Sequence, residues 1–168
     1  MRKKLFYFCL TIVSVLIVGC SNNVDEQQVI DDAIEDIEYH VLLPEYIPSD
    51  LKFKSVITDY NLFRISYENG DGTKRIHITQ DDHTYLNWER LLKFAETGEN
   101  PYDKSPDFTY LKIGDFVGEY KKTPNKEFFQ FSFIPIIPRD EISMYPYYRV
   151  VSVGLEENEF NKVIESLQ

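Results

Sequence analysis

Hydrophobic and polar positions alternate through much of this chain, and where they stop alternating they recur every three or four residues. Phe63, Ile65 and Tyr67 alternate with Arg64, Ser66 and Glu68. Ile76 and Ile78 alternate with Arg75, His77 and Thr79 after the turn Asn69-Gly70-Asp71-Gly72. A period of two on both sides of a segment that tolerates positive φ predicts a hairpin, with strands near 61–68 and 73–80. Further strands are predicted at 53–58, 108–113, 116–121, 128–134 and 147–155, the sixth with Phe129, Phe131 and Phe133 on one face. Helical spacing appears three times. Val29, Ile30, Ala33, Ile34 and Ile37 predict a helix over 29–38. Leu91, Leu92 and Ala95 predict one over 85–97, capped by Asp82 or Thr84 and stopped by Gly98. Phe160, Val163, Ile164 and Leu167 predict one over 156–167, with Glu156, Glu157 and Glu159 at the positive end of its dipole. Short turns favour hairpins over parallel crossovers. The expected fold is α+β, a mainly antiparallel, curved sheet of six or seven strands with two or three covering helices.

The first twenty residues follow another pattern. Arg2, Lys3 and Lys4 precede an apolar run from Leu5 to Val18, interrupted only by Thr11 and Ser14. As a helix the run would reach about 21 Å, short of a hydrocarbon core of roughly 30 Å. It reads as the core of a signal peptide and not as a spanning helix. It ends at Ile17-Val18-Gly19-Cys20, and the chain turns polar with Ser21, Asn22 and Asn23. This stretch resembles the bacterial lipoprotein signal. The resemblance implies that the Cys20 sulfur receives a diacylglyceryl group and that cleavage falls between Gly19 and Cys20. It also implies residence at the cell membrane, lipid-anchored, on the extracytoplasmic face. Two acyl chains suffice for a stable anchor where one does not. The lysine, asparagine and isoleucine content leans toward a Gram-positive host.

Three segments follow: residues 1–19 as cleaved signal peptide, 20–28 as lipidated cysteine and acidic tether, and 29–168 as one globular domain. The remaining 149 residues suit a single domain of ordinary size. Cys9 would leave with the signal and the Cys20 sulfur would be in a thioether, so no disulfide or thiol chemistry is expected. Net charge is −10, and loss of the three leading cations takes it to −13. Such a polyanion is a poor candidate for nucleic acid. The aromatic fraction of 15% reads first as a β-rich core.

Candidate chemistry is sparse. The acids from Asp25 to Glu38 lack the ligand spacing and glycine of a calcium loop and read as a solvated face. Asp81, Asp82 and His83 contain metal-ligating groups, but neighbours in a strand-to-helix turn point apart, and capping is the preferred reading. His77 is expected to be exposed or paired across strands. No repeat, glycine-rich phosphate loop or Gly-x-Ser-x-Gly elbow is visible, so neither an enzyme nor a cofactor or metal site is expected.

Several short motifs, taken in order, carry a second resemblance. They are Leu43-Pro44-Glu45-Tyr46-Ile47-Pro48, the hairpin from Ile65 to Gly72, Ile76 to Gln80, Lys112 to Tyr120, the late tyrosine-rich strand and the closing helix Glu159 to Leu167. Together they resemble an uncharacterised domain family of extracytoplasmic lipoproteins, similar to the C-terminal parts of lipoprotein-sorting and sigma-factor-regulating proteins. It implies an antiparallel curved sheet with helices and no catalysis. The chain departs from that pattern in a proline-rich insertion at 135–146, and in Phe129-Gln130-Phe131 where a tryptophan is common.

Two functions are carried forward. One is a non-enzymatic binding or regulatory module that contacts another envelope protein. The other is a carrier or chaperone that holds an apolar, lipid-like ligand on the concave face of the sheet. The candidate partner surface is the segment 135–146 with its neighbours, specifically Ile136, Ile137, Met144, Tyr145 and Tyr147, because its length exceeds what a hairpin needs and its prolines limit its conformations. The competing reading is that its isoleucines fold back and cap the sheet.

Overall fold

The alternating segments become seven strands of one antiparallel sheet. The computed structural model describes residues 25–83, 86–100, 108–123, 127–136 and 146–168. The elements are α1 (Glu26–Ile34), β1 (Lys52–Asp59), β2 (Leu62–Glu68), β3 (Arg75–Asp81), α2 (Trp88–Thr97), β4 (Thr109–Ile113), β5 (Phe116–Thr123), β6 (Phe128–Pro135), β7 (Tyr147–Val153) and α3 (Glu157–Glu165). Strand order is β1-β2-β3-β7-β6-β5-β4. Two meanders, β1 to β3 and β4 to β7, meet where β3 pairs antiparallel with β7. The sheet is open, and β1 and β4 are its edges.

Each meander is made by local chemistry. In the β2–β3 turn the Asn69 side chain accepts from Lys74 N–H at 2.9 Å, and Asp71 accepts from Thr73 N–H at 3.0 Å. Within the strands, period-two alternation sorts side chains onto two faces. On the first face lie Phe63, Ile65, Ile76, Ile78, Phe131, Phe133 and Val150, each with almost no accessible surface. They pack with Ile30 of α1 and with Phe160, Val163 and Ile164 of α3. Rings meet in sequence there: Phe131 and Phe133 have centroids 4.9 Å apart, and Phe133 and Tyr148 5.6 Å. On the second face α2 covers only the β4–β6 side, through Leu91 against Tyr110, Val117 and Ile134.

One polar side chain shares the first face. Gln80 follows Ile76 and Ile78 at the same parity and is fully buried. Leu42 N–H donates to its Oε1 at 2.7 Å, and its Nε2 donates to Leu42 O at 2.6 Å. Both backbone polar groups of buried Leu42 are thereby satisfied, as burial requires. The same segment is held at its other end by the C-terminus, where Leu43 and Gln168 exchange backbone hydrogen bonds of 2.9 and 3.2 Å.

Helix boundaries differ from the sequence expectation for identifiable reasons. α1 begins at Glu26 and not at 29, because Asp25 caps it by accepting from Gln27 N–H at 3.1 Å. It ends at Ile34, so the acids beyond lie in a turn and not in a longer helix. The ordered domain therefore extends into the expected 20–28 tether. α2 begins at Trp88, capped by Asn87 and not by Asp82 or Thr84, with Arg90 N–H donating to the Asn87 side chain at 3.1 Å. Gly98 ends it in the left-handed region at φ 69°, its N–H donating to Phe94 O at 2.8 Å.

Candidate functional site

The residues singled out in the sequence scatter. Gly19, Cys20, Ile137, Met144 and Tyr145 lie outside the described residues. Ile136 is half-buried against the α2 cluster, and its N–H donates to Asp115 O at 2.8 Å. That is the behaviour of a side chain folded back onto the domain. Tyr147 is corrected outright as a contact residue, since it is only 6% exposed. Its hydroxyl donates to Ser132 Oγ at 3.2 Å and accepts from Arg149 Nε at 2.5 Å. The guanidinium of Arg149 lies 5.0 Å from the Tyr147 ring centroid, so the ring serves as a platform for a cation.

Arg149 leads to the part of the second face that α2 leaves uncovered. Register aligns Ile57, Arg64, Thr79, Arg149, Ser132, Glu119 and Tyr110 in one row across all seven strands. The adjacent row runs through Ser55, Ser66, His77, Val151, Gln130 and Lys121. Over β1, β2, β3 and β7 these rows form a shallow hollow of about 410 Å³, whose lining among the described residues includes Lys54, Arg64, His77, Thr79 and Arg149 and no carboxylate. In a chain with 28 acids against 18 lysines and arginines, that local sign is opposite to the global one.

The cations are available. Lys54 reaches Glu68 only at 3.8 Å, with both side chains partly exposed. Among the described residues neither Arg64 nor Arg149 makes an ion pair. Arg64 Nε donates to Thr79 Oγ1 at 3.1 Å, which fixes the stem and leaves the fork of the guanidinium outward. Two such forks flanking Thr79 suit carboxylate or phosphate oxygens. Burial lowers the His77 pKa below its ordinary value, and the Arg75 and Arg64 charges lower it further. Beyond Ser132 in the row, burial raises the carboxyl pKa of Glu119.

His77 Nδ1 lies 2.8 Å from Ser66 Oγ, the cross-strand pairing expected of it. A serine and a histidine at that distance also have nucleophile-and-base geometry. Here Ser66 is only 6% exposed, and it lies between two paired strands whose backbone N–H groups are directed along the ladder. No donor set for an oxyanion arises from that backbone. Asp81, Asp82 and His83 bring ligating atoms within 4.8 Å of one another. Asp81 accepts from His83 N–H at 3.1 Å, and Asp82 bonds the His83 ring and the Asn61 amide, so these carboxylates close the end of β3.

Arg64 and His77 were legible as polar-face residues of a hairpin. Arg149 was not identified, although it stands between Tyr148 and Val150 at the parity that predicts an outward side chain. The missing information was the β3–β7 pairing that sets it beside Thr79. No protein-family model, curated protein or solved structure matches this chain.

Proposed function

We propose that the chain is a lipid-anchored extracytoplasmic binding module, without catalysis, whose uncovered half-face engages another envelope protein. The observation that carries this reading is the contrast between the two faces. On the helix-covered face Phe63, Phe131, Phe133 and Phe160 have no accessible surface. A ligand-sized void beside those rings would give them some, so the filled core counts against an apolar-ligand carrier. Among the described residues, the opposite half-face presents guanidinium groups without ion pairs and without a helix above them, an arrangement suited to recognition.

Anchoring would come from the diacylglyceryl thioether at Cys20. Four residues, or five Cα-to-Cα steps, then separate the anchor from the Asp25 cap of α1. Fully extended, they span at most about 18 Å, so the domain would stand close to the bilayer surface. The acids of α1 and the following turn would be repelled by anionic headgroups, orienting the domain without a long linker.

The test uses the full chain in cells. Cys20→Ala should block processing and release the protein from the membrane fraction, and unchanged retention would sink the anchor. A photo-crosslinker at Thr79 should capture a membrane-associated protein that the same group at Glu96 on α2 does not. Equal capture from both positions would refute the half-face as the contact surface.

A further inference from the structure

β1 is an edge strand of eight residues, and among the described residues its only strand partner is β2. Among the described residues, no side chain or other strand meets its outer row of backbone N–H and C=O groups. That row is about 27 Å long at 3.4 Å per residue. Helix α1 lies against one side of β1, and the other edge, β4, has five residues with α2 and α3 near it.

Exposed edges are ordinarily blunted by charge, bulges or proline, because a free edge templates pairing with another chain. β1 is blunted at its start by Lys52, Lys54 and a register shift between Phe53 and Ser55, and at its end by Asp59, which leaves the middle of the strand uncharged. Val56, Ile57 and Thr58 follow, three β-branched residues in a row. The two exposed large hydrophobic side chains among the described residues are Ile57, 51% exposed, and Tyr60, 95% exposed. They lie on this strand and on the turn that follows it. Tyr60 also holds φ at +52°, in the left-handed region where a bulky side chain is strained. Stability alone does not account for an exposed tyrosine at such a position.

The cationic hollow begins on the same strand. Lys54, Ser55 and Ile57 form its near wall, with Arg64 and Arg149 behind them. We propose, resting on the binding-module reading, that β1 receives an extended acidic segment of the partner protein as an eighth strand. Main-chain bonds to the free edge would give the segment its register, as in other strand additions. Its alternate side chains would fall over the near side of the hollow, carboxylates toward Lys54 and Arg64, and an apolar residue against Ile57. A second copy of this chain fits less well, because two β1 strands paired edge to edge would set two cationic hollows side by side.

The test uses the detergent-solubilised full chain and three nine-residue peptides. The first alternates glutamate with valine. The second replaces glutamate with lysine. The third is the first with alternate backbone amides N-methylated. The acidic peptide should slow hydrogen exchange of the β1 amides and bind at least about tenfold more tightly than the lysine peptide. The N-methylated peptide should lose both effects, and this arm does not depend on any protein variant folding. Lys54→Ser with Arg64→Ser should weaken the acidic peptide about tenfold, with an unchanged circular dichroism spectrum as the folding control.

Strand addition is overturned if the acidic peptide leaves β1 exchange unchanged at saturation of its solubility, or if N-methylation has no effect. Protection of β1 that grows with protein concentration alone would assign the edge to a second copy and overturn the acidic partner. Capture from Thr79 in cells without β1 protection by the acidic peptide would leave the binding-module reading standing while the strand addition fails.

Discussion

Replacing Gln80 is the most incisive perturbation of this fold. Its amide is the sole described side-chain partner of both backbone polar groups of Leu42, at 2.7 and 2.6 Å in a buried environment. Gln80→Met keeps the length and removes both bonds. Each orphaned buried group costs about 1–3 kcal/mol. Some relaxation of the 40–44 segment toward water would hold the total near the low end, at about 2–4 kcal/mol. The Tyr148 hydroxyl, which donates to His40 O at 3.0 Å, would still restrain the segment. Urea unfolding of a soluble form beginning at Ser21 reads the loss. With a slope of about 2 kcal/mol per molar, the midpoint should fall by roughly 1–2 M.

Gln80→Glu separates hydrogen bonding from packing. A protonated carboxyl can accept from Leu42 N–H and donate to Leu42 O, whereas a carboxylate cannot donate. Burial raises its folded pKa above the ordinary value of about 4.3. Its stabilising contribution is therefore fully present below that ordinary value and lost as pH rises through the folded one, at 1.36 kcal/mol per unit while only the unfolded state ionises. Measured against wild type at each pH, the variant should approach it near pH 4 and fall well below it at pH 7. A cost under about 0.5 kcal/mol for Gln80→Met, or a pH-independent difference for Gln80→Glu, would refute the claim that this amide pins the segment.

Three further outcomes are expected. Gly118→Ala should destabilise by about 1–3 kcal/mol or more, since its new Cβ would come within 2.2 Å of Ser132 O and 2.7 Å of Phe133 Cα; a wild-type urea midpoint would contradict the close β5–β6 approach. Ile136→Ser should cost about 1 kcal/mol in the same assay if the half-buried side chain folds back on the α2 cluster, and no change would return the residue to the surface. His77, titrated by imidazole NMR, should show a pKa below 6.5, rising when Arg75 and Arg64 are changed to glutamine. Because that folded pKa is lowered, its contribution to stability is full above about 6.5 and is lost as pH falls through the folded value; a midpoint at or above 6.5 would refute the desolvated site.

Much of the fold was legible because its determinants are local. Alternation sorts Phe63, Ile65 and Tyr67 from Arg64 and Ser66 whatever strand lies alongside, since a strand's side-chain period is a property of its own backbone. The Asn69–Gly72 turn is likewise closed by bonds spanning two to five residues. The same period also implied an inward Gln80, but its partner, Leu42, is 38 residues away and no local pattern points to it. Helix starts were missed where several capping residues compete: Asp82, Thr84 and Asn87 all precede α2, and the end of β3 engages the first of them.

The candidate site depended on pairings the sequence does not encode locally. Whether Tyr147 is a surface anchor or a buried platform depends on its neighbours, because an aromatic ring has the same pattern in either role. Arg64 and Arg149 became one site only because β3 pairs with β7. β1 became an exposed edge because the second meander joined the sheet at β3. The entropy of closing such long loops varies only slowly with length, so chain separation does little to choose among possible strand orders. Burial of the combined faces makes that choice: α1 and α3 fill one face, while α2 covers only the β4–β6 part of the other and leaves Arg64 and Arg149 uncovered by any described helix.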